Sequence, residues 1–324
     1  MPILSFVEAL EETARQPRHL LVGNGFSIAQ GGKRFGYQTL LEHSGLPEGE
    51  EIRNVFHQLG TSDFEEVMRA LEHAAVIEAA YGEQDRSDRF RADATTVRDA
   101  LIQAIHAVHP GIRFDIPESQ MTACASFLRN FHSIFTLNYD LLLYWVILHG
   151  AANRHADGFA LGEETNGFRT FSSEGYCSVY FLHGALHLFV DDQNRAQKRI
   201  RIGRTIVSDI TETIRLLRRL PLFVAEGTAA QKMRKINSVT YLRRGYDKLG
   251  ECGGSLFIFG HSASENDSHI YDAIARSGVT TIYFCVFRPG DALTEMQARL
   301  APFIARNPKK QVRYVDSATA NVWG

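Results

Sequence analysis

Short apolar runs alternate along this chain with stretches whose apolar residues recur at helical spacing. The apolar runs occupy residues 19–22, 133–137, 176–182, 221–224, 255–259 and 280–287, with a shorter run at 312–315. Short runs that are rich in β-branched and aromatic side chains predict strands. Strands that alternate with helices predict an α/β fold, here a Rossmann-like, mainly parallel sheet with helices on both faces.

The stretch from about residue 47 to residue 130 is predicted to be mostly helical. Ser62, with Glu65 three residues later, is typical of the start of a capped helix. Further helices are predicted at residues 95–108 and 118–130. Residues 1–46 and 131–324 then form the α/β domain, and residues 47–130 form a helical insertion that caps its crevice.

Polar or glycine-rich turns follow four of the predicted strands. Two glycines in the first turn let the backbone approach a phosphate at the start of the next helix. Because ligands of open α/β sheets bind beyond the carboxyl ends of the strands, we expect the four turns to face one crevice. The residues predicted to line it are Gly23, Asn24, Gly25, Phe26, Ser27, Asn138, Asp140, His183, Gly260, His261 and Ser262.

Each turn also has a purely structural interpretation. Gly23 and Gly25 can form a tight turn between strand and helix without any ligand. Asn138 and Asp140 are residue types that cap helices. A single histidine such as His183 is more often a packed group than a catalyst, but its place between a buried strand and a glycine favours a functional role.

Composition narrows the classes of function. The 324 residues are 44% hydrophobic and 22% charged, and the formal charge of -2 gives no general attraction to nucleic acid or to an anionic membrane. The first residues lack a basic leader, and no apolar run has the length of a membrane span. The four cysteines form no closely spaced pair, which argues against a zinc knuckle and favours a cytoplasmic protein without a metal.

Two further stretches have open interpretations. Region 195–248 has 14 Lys or Arg residues against four acidic ones, and such a cluster is more often a solvated surface than a nucleic-acid-binding face when aromatic residues are sparse. In the loop after the first turn, Phe35 and Tyr37 either pack on the ring of a ligand or anchor a lid in the core. We favour the second role for both aromatics.

Taken in order, the turn motifs resemble those of the sirtuin-like superfamily. Gly23-Asn24-Gly25-Phe26-Ser27 is similar to its Gly-Ala-Gly-x-Ser turn, and Thr136-Leu137-Asn138-Tyr139-Asp140 is similar to its Thr-Gln-Asn-x-Asp motif. His183-Gly184 looks like its His-Gly pair, and Gly260-His261-Ser262 looks like its Gly-Thr-Ser loop. The resemblance implies a pocket for NAD.

A narrower resemblance covers nearly the whole chain. The first turn, Asp63-Phe64-Glu65, Glu226-Gly227-Thr228 and the closing Val322-Trp323-Gly324 look like a bacterial family catalogued as domain-of-unknown-function family 4917.

Two departures from the sirtuins indicate which reaction to expect. Sirtuin deacetylases have a zinc module with two cysteine pairs and a Pro-Asp-Phe-Arg lid segment. This chain has neither, and Phe35-Gly36-Tyr37-Gln38 lies in the corresponding lid stretch. What remains is similar to the sirtuin-like domains of bacterial anti-phage defence systems, which hydrolyse NAD. The resemblance therefore implies a metal-free NAD glycohydrolase, acting as a homo-oligomer or with a partner protein of its defence system.

The resemblance also implies a role for each turn. Asn138 is expected to hold the attacking water or the ribose hydroxyls, and neutral His183 is expected to accept a proton. Asp140 would hydrogen-bond the nicotinamide amide, and the first turn would hold the pyrophosphate. The turn that contains Gly260, His261 and Ser262 would contact a phosphate or the adenosine ribose.

Three alternative functions remain open at this point. The pocket could belong to a sensor that binds NAD or an ADP-ribose-type signal without cleaving it. It could also support NAD-dependent deacylation or ADP-ribosyl transfer. The basic region could instead bind nucleic acid, for which steeply salt-dependent binding would be the indication.

Overall fold

A parallel sheet forms the centre of the molecule. The computed structural model describes residues 3–30, 40–109, 112–149, 154–203, 205–224 and 228–324. The predicted lid residues Phe35 and Tyr37 lie outside the described residues, as do Glu226 and Gly227 of the family motif. In chain order the strands are β1 (Arg18–Val22), β2 (Ser133–Thr136), β3 (Glu164–Thr165), β4 (Phe168–Thr170), β5 (Val179–Phe181), β6 (Gly184–Ala185), β7 (Leu188–Val190), β8 (Ala196–Arg199), β9 (Leu222–Phe223), β10 (Gly253–Phe259), β11 (Gly278–Val286) and β12 (Gln311–Asp316).

The central sheet has six strands in the order β12-β11-β10-β1-β2-β5, and every neighbouring pair is parallel. If only these six strands are numbered, from 1 to 6 along the chain, their order across the sheet is 6-5-4-1-2-3. This is the strand order of the Rossmann fold, 3-2-1-4-5-6, read from the other edge. The chain leaves the sheet at β5 and returns beside β1 with β10. The prediction of a Rossmann-like parallel sheet is confirmed, and its switch point lies between β1 and β10.

Helices surround this sheet. In chain order they are α1 (Phe6–Glu12), α2 (Gly25–Ile28), α3 (Glu51–Leu59), α4 (Phe64–Ala80), α5 (Gln84–Val108), α6 (Glu118–Leu128), α7 (Leu142–Ile147), α8 (Ile206–Leu217), α9 (Ala229–Ser238), α10 (Thr240–Glu251), α11 (Ser268–Arg276) and α12 (Pro289–Arg306). In the described ranges, every helix is too short or too polar to cross a lipid bilayer.

Two contacts show that the helices cover both faces of the sheet. On one face, the ring of Phe6 in α1 packs 5.7 Å from the ring of Phe257 in β10. On the other, Gly245 of α10 packs against Tyr180 of β5. Tyr180 lies in the same row of the sheet as Ile258, the neighbour of Phe257. Because successive side chains of a strand point to opposite faces, α1 and α10 lie on opposite sides.

Helices α3, α4 and α5 occupy the stretch predicted as an insertion. The N-cap of α4 is Asp63, whose carboxylate accepts from the Glu65 N–H at 2.9 Å, so the predicted cap at Ser62 is wrong by one residue. The next helix, α6, packs on the sheet, since Phe127 lies 5.8 Å from Phe259 of β10 between ring centroids. Helix α6 therefore completes the crossover from β1 to β2. The division into domains at residues 46 and 130 stays a prediction.

A second, antiparallel sheet was not predicted from the sequence. It has the order β3-β4-β8-β7 and lies in the chain between β5 and α8. Its strands are short and only partly buried, so they lack the long apolar runs by which strands are recognised. Beside it, β9 pairs with β6, directly after His183, and the Val224 N–H donates to the His183 carbonyl at 2.8 Å.

Candidate functional site

The four predicted turns begin at one level of the sheet. Val22 of β1 pairs with Phe259 of β10 and with Thr136 of β2, and Thr136 pairs with Phe181 of β5. These four residues form one row across four neighbouring strands, β10-β1-β2-β5. The turns at residues 23–27, 137–140, 182–184 and 260–262 therefore start side by side at the carboxyl edge of the sheet, where ligands of such folds bind.

The first and last of these turns touch through their backbones at the switch point. The Gly25 N–H donates to the Gly260 carbonyl at 2.8 Å, and the Gly23 N–H donates to the Phe259 carbonyl at 2.9 Å. A Cβ added to Gly25 would lie 2.6 Å from the Gly260 Cα, closer than real Cβ atoms approach. Gly260 itself has a φ of 69°, which favours glycine. The glycines are thus explained by the contact between two turns.

The hydrogen bonds of the first turn bear on the prediction that this turn holds a phosphate. The backbone N–H groups of Gly23, Gly25, Phe26 and Ser27 all donate to carbonyls of the protein, at 2.8 to 3.0 Å. Asn24 is the N-cap residue of α2, and its side chain makes no capping bond. A phosphate at this turn would have to displace internal hydrogen bonds, so the pyrophosphate contact stays a prediction.

Asn138 is tied directly to the first turn. Its Nδ2 donates to the Gly23 carbonyl at 3.0 Å and to Ser27 Oγ at 2.9 Å. The orientation of the amide follows from its partners, because a carbonyl can only accept and therefore requires the NH₂ side. Both N–H groups of the amide are thus engaged, and its oxygen is the atom left for a ligand.

Asp140 completes this network from the same loop. Ser27 Oγ donates to one carboxylate oxygen in a short hydrogen bond, and the Leu142 N–H donates to the other at 2.9 Å. Burial raises the pKa of Asp140. Both oxygens of Asp140 have partners in the protein, so the carboxylate braces the loop at the start of α7. The contact of Asp140 with nicotinamide stays a prediction.

The end of the chain packs on the first turn. The Trp323 Nε1–H donates to the Phe26 carbonyl at 2.8 Å, and the two rings lie 5.1 Å apart. Both side chains are buried. The contact joins two segments of the chain that are 297 residues apart in the sequence.

Replacing Trp323 with phenylalanine is expected to lower the free energy of unfolding by about 2 kcal/mol, because the buried Phe26 carbonyl loses its donor while most of the ring contact remains. Urea unfolding monitored by circular dichroism measures the change. A variant as stable as the wild-type protein would contradict a bracing role for Trp323.

His183 belongs to a second polar cluster. Its Nε2 lies 3.0 Å from Nε2 of His269, which is in α11 after the Gly260 turn. Next to this pair, Asp267 accepts from Lys232 Nζ at 2.7 Å and bonds His261 Nε2 at 3.2 Å. His183, His261, Asp267, His269 and Lys232 form what we call the histidine cluster. It joins the end of β5 to the segment that follows β10.

The described contacts divide the predicted site residues into two groups. Asn138 and Asp140 bond the first turn, whereas His183 and His261 join the histidine cluster. The carbonyl of Ser262, in the same turn as His261, accepts from Arg299 at 2.8 Å. The sequence analysis identified neither His269 nor Asp267 as a site residue. The sequence does place the two residues together, as an Asp-x-His pair at the start of the helix that follows the Gly260 turn.

Lowering the pH from about 7 to about 5 is expected to destabilise the protein, because buried histidines resist protonation. Burial lowers the pKa of His183 and His109 to about 3, and that of His19 and His269 to about 4. Histidines of the unfolded chain titrate near pH 6.5, roughly. Below that pH the unfolded chain binds more protons than the folded one, so the free energy of unfolding falls by up to about 1.4 kcal/mol per histidine per pH unit.

Urea unfolding at several pH values in this window checks the prediction. The variant His19→Gln lies outside the histidine cluster. Its free energy of unfolding should fall less steeply with decreasing pH than that of the wild-type protein. Stability that stays constant between about pH 7 and about pH 5 would be inconsistent with neutral, buried histidines.

Residues 20–323 match a protein family described as a domain of unknown function, DUF4917. The chain belongs to this family. The matched region includes the first turn, Asn138, Asp140, every residue of the histidine cluster and Trp323. No curated protein matches the chain.

This DUF4917 member also has a cleft whose lining includes neither the residues around Asn138 nor those of the histidine cluster. Its volume is about 340 Å³, and it lies between α4 and α5 on one side and the segment before β9 on the other. Charged residues of its wall pair with one another, as in Lys235 with Glu65 at 2.6 Å and Arg98 with Glu72 at 3.7 Å. None of the predicted site residues lines the cleft.

Much of the positive charge of region 195–248 is matched within this DUF4917 member. Lys198 pairs with Asp157 at 2.7 Å, Lys232 with Asp267 at 2.7 Å, and Arg243 with Asp247 at 2.9 Å. The basic residues lie on several elements, β8, α8, α9 and α10, and part of their charge is neutralised locally. Nucleic-acid binding by this region gains no support from such an arrangement.

Proposed function

We propose that this protein is a metal-free NAD hydrolase that cleaves the bond between nicotinamide and ribose, and that it serves as an effector of bacterial anti-phage defence. The observation that supports the proposal most is the position of Asn138. Its amide is locked to Gly23 and Ser27 beside the switch point, with its oxygen left for a ligand. The order of the sirtuin-like motifs and their convergence at one edge of the sheet also support it.

The chemistry of the reaction fits such a site. Nicotinamide leaves NAD as a neutral group, taking the electron pair of the glycosidic bond, so a strong acid is not needed to expel it. Positive charge develops on the ribose, and a water molecule must add to the anomeric carbon and lose a proton. The protein therefore has to place the water, stabilise the sugar cation and accept one proton.

Two side chains have suitable atoms for these tasks. The Asn138 oxygen can accept a hydrogen bond from the water or from a ribose hydroxyl, and the rigid amide lowers the cost of orienting either one. His183 is neutral because burial lowers its pKa to about 3, so it can accept a proton. With Nε2 of His183 facing His269, Nδ1 is the nitrogen left for substrate.

Incubation of the purified protein with NAD, followed by chromatography of nicotinamide, ADP-ribose and cyclic products, tests the proposal. Equal amounts of nicotinamide and ADP-ribose are expected. Nicotinamide without free ADP-ribose, together with labelled protein, would indicate transfer to a macromolecule instead. Intact NAD, both with the homo-oligomer and with a defence partner added, would contradict hydrolysis.

A second candidate function is a sensor that binds NAD or an ADP-ribose-type signal without cleaving it. The low pKa of His183 favours this alternative, because a group with a pKa of about 3 is a weak base at neutral pH. Calorimetric binding of NAD with no product formed would favour the sensor.

A further inference from the structure

The contact between His183 and His269 implies a role for a residue outside the motifs. The two Nε2 atoms lie 3.0 Å apart, and the planes of the rings are 19° from parallel. Both rings are buried. A hydrogen bond between two imidazole nitrogens needs one N–H and one lone pair, so one ring has its hydrogen on Nε2 and the other does not. The two histidines are therefore complementary.

A fixed negative charge lies beside this pair. Asp267 bonds His261 and Lys232, and these partners keep its pKa low despite burial, so it is ionised. The Ala263 N–H donates to His261 Nδ1 at 2.9 Å, which places the hydrogen of His261 on Nε2, facing Asp267. Tyr271 Oη also contacts His261 Nδ1, at 3.1 Å. The carboxylate is thus held in one position, close to both imidazoles.

We propose that His269 is a positioning residue for His183: its Nε2 lone pair accepts the hydrogen on His183 Nε2 and so presents Nδ1 of His183 to the substrate. This inference rests on the proposed hydrolysis of NAD. When water adds to the ribose, its proton moves to His183 Nδ1, and His183 becomes an imidazolium. The existing N–H···N bond to His269 then becomes charge-assisted and stronger, and Asp267 stabilises the new positive charge.

A metal ion is the competing interpretation of the same atoms. One ring nitrogen of each histidine and a carboxylate oxygen of Asp267 lie within 4.8 Å of one another. However, Lys232 and His261 already bond the carboxylate. The buried Nδ1 of His269, which has no acceptor among the described residues, would carry the hydrogen in either arrangement and does not distinguish them. The bonds that Lys232 and His261 make to the carboxylate favour the hydrogen-bonded pair.

Kinetics of two variants of His269 test the proposal, with His155→Gln as a control. His155 is another buried histidine with two partners, Ser178 and the Leu128 carbonyl, away from the cluster. His269→Ala is expected to lower kcat about 10- to 100-fold while KM changes less than about threefold, because the bond strengthens mainly in the transition state. His269→Gln offers an amide at a similar reach and should recover most of the loss. The control should stay within about threefold of the wild-type kcat.

A second measurement does not depend on activity. Nitrogen-15 NMR of histidine-labelled protein should show a scalar coupling across the N–H···N bond, and the coupling should disappear in His269→Ala. Two uncoupled rings would overturn the proposal. So would stoichiometric bound metal that is lost from His269→Ala, or a His269→Ala variant with the wild-type kcat. If the wild-type protein leaves NAD intact, the proposed function fails, and the role of His269 in positioning His183 for catalysis fails with it even where the coupling is seen.

Discussion

Replacing Asn138 with alanine is expected to lower the rate of NAD hydrolysis by about a hundredfold or more. The amide oxygen is the proposed anchor for the water or the ribose hydroxyls, and a misplacement of about 1 Å in a reacting group costs about this much. The measurement is kcat for nicotinamide release by the purified variant. His183→Ala should have a comparable effect, because it removes the group that accepts the proton.

The variant Ser27→Ala separates the role of Asn138 in chemistry from its role in the fold. It breaks the links of Ser27 to Asn138 and Asp140 but leaves the bond from Asn138 to the Gly23 carbonyl. We expect it to lose some stability, about 1 to 3 kcal/mol, and to lose less activity than Asn138→Ala. If Asn138→Ala cleaves NAD at the wild-type rate, the assignment of Asn138 is wrong.

Replacing Gly25 with alanine is expected to lower the free energy of unfolding by about 3 kcal/mol. The new methyl group would lie 2.6 Å from the Gly260 Cα, and backbone on both sides leaves no flexible side chain to move. The two turns would have to separate, which also breaks the bond from the Gly25 N–H to the Gly260 carbonyl. Urea unfolding measures the loss.

Gly250→Ala is a matched control for this experiment. Gly250 lies in α10, and a Cβ there would meet no atom closer than 3.7 Å. Alanine is favoured over glycine in a helix by about 1 kcal/mol, so this variant should be as stable as the wild-type protein or slightly more stable. A Gly25→Ala variant that unfolds at the wild-type urea concentration would show that the two turns do not need to touch.

Five strands of the central sheet were predictable because each contains a short apolar run whose successive residues are buried on both faces. Strand β10 was predicted at residues 255–259 and spans Gly253–Phe259, and the shorter run at residues 312–315 lies in β12, at the edge of the sheet. The start of helix α5 was harder to predict, because its first three turns consist mainly of polar residues. The helix begins 11 residues before the predicted start. A polar helix surface has no apolar period to detect.

The sequence could also place the polar turns at strand ends, since each follows a buried run. The sequence could not show which contact requires glycine at these positions. A glycine allows close approach by any atom, and only the register of β1 against β10 shows that the approaching atoms are those of Gly260. Whether Asn138 and Asp140 act as caps or as site residues was likewise open. Asp140 bonds the backbone of Leu142, while Asn138 bonds Gly23.

By itself the sequence determined the class of fold and the identity of the turns, because strand burial and turn formation depend on residues that are close together in the chain. Only the tertiary structure decided which turns touch. His183 meets His269, 86 residues later, and Trp323 meets Phe26, 297 residues earlier. Such pairs depend on the order of strands in the sheet and on the helices that cross it, and no local pattern of hydrophobic and polar residues records that order.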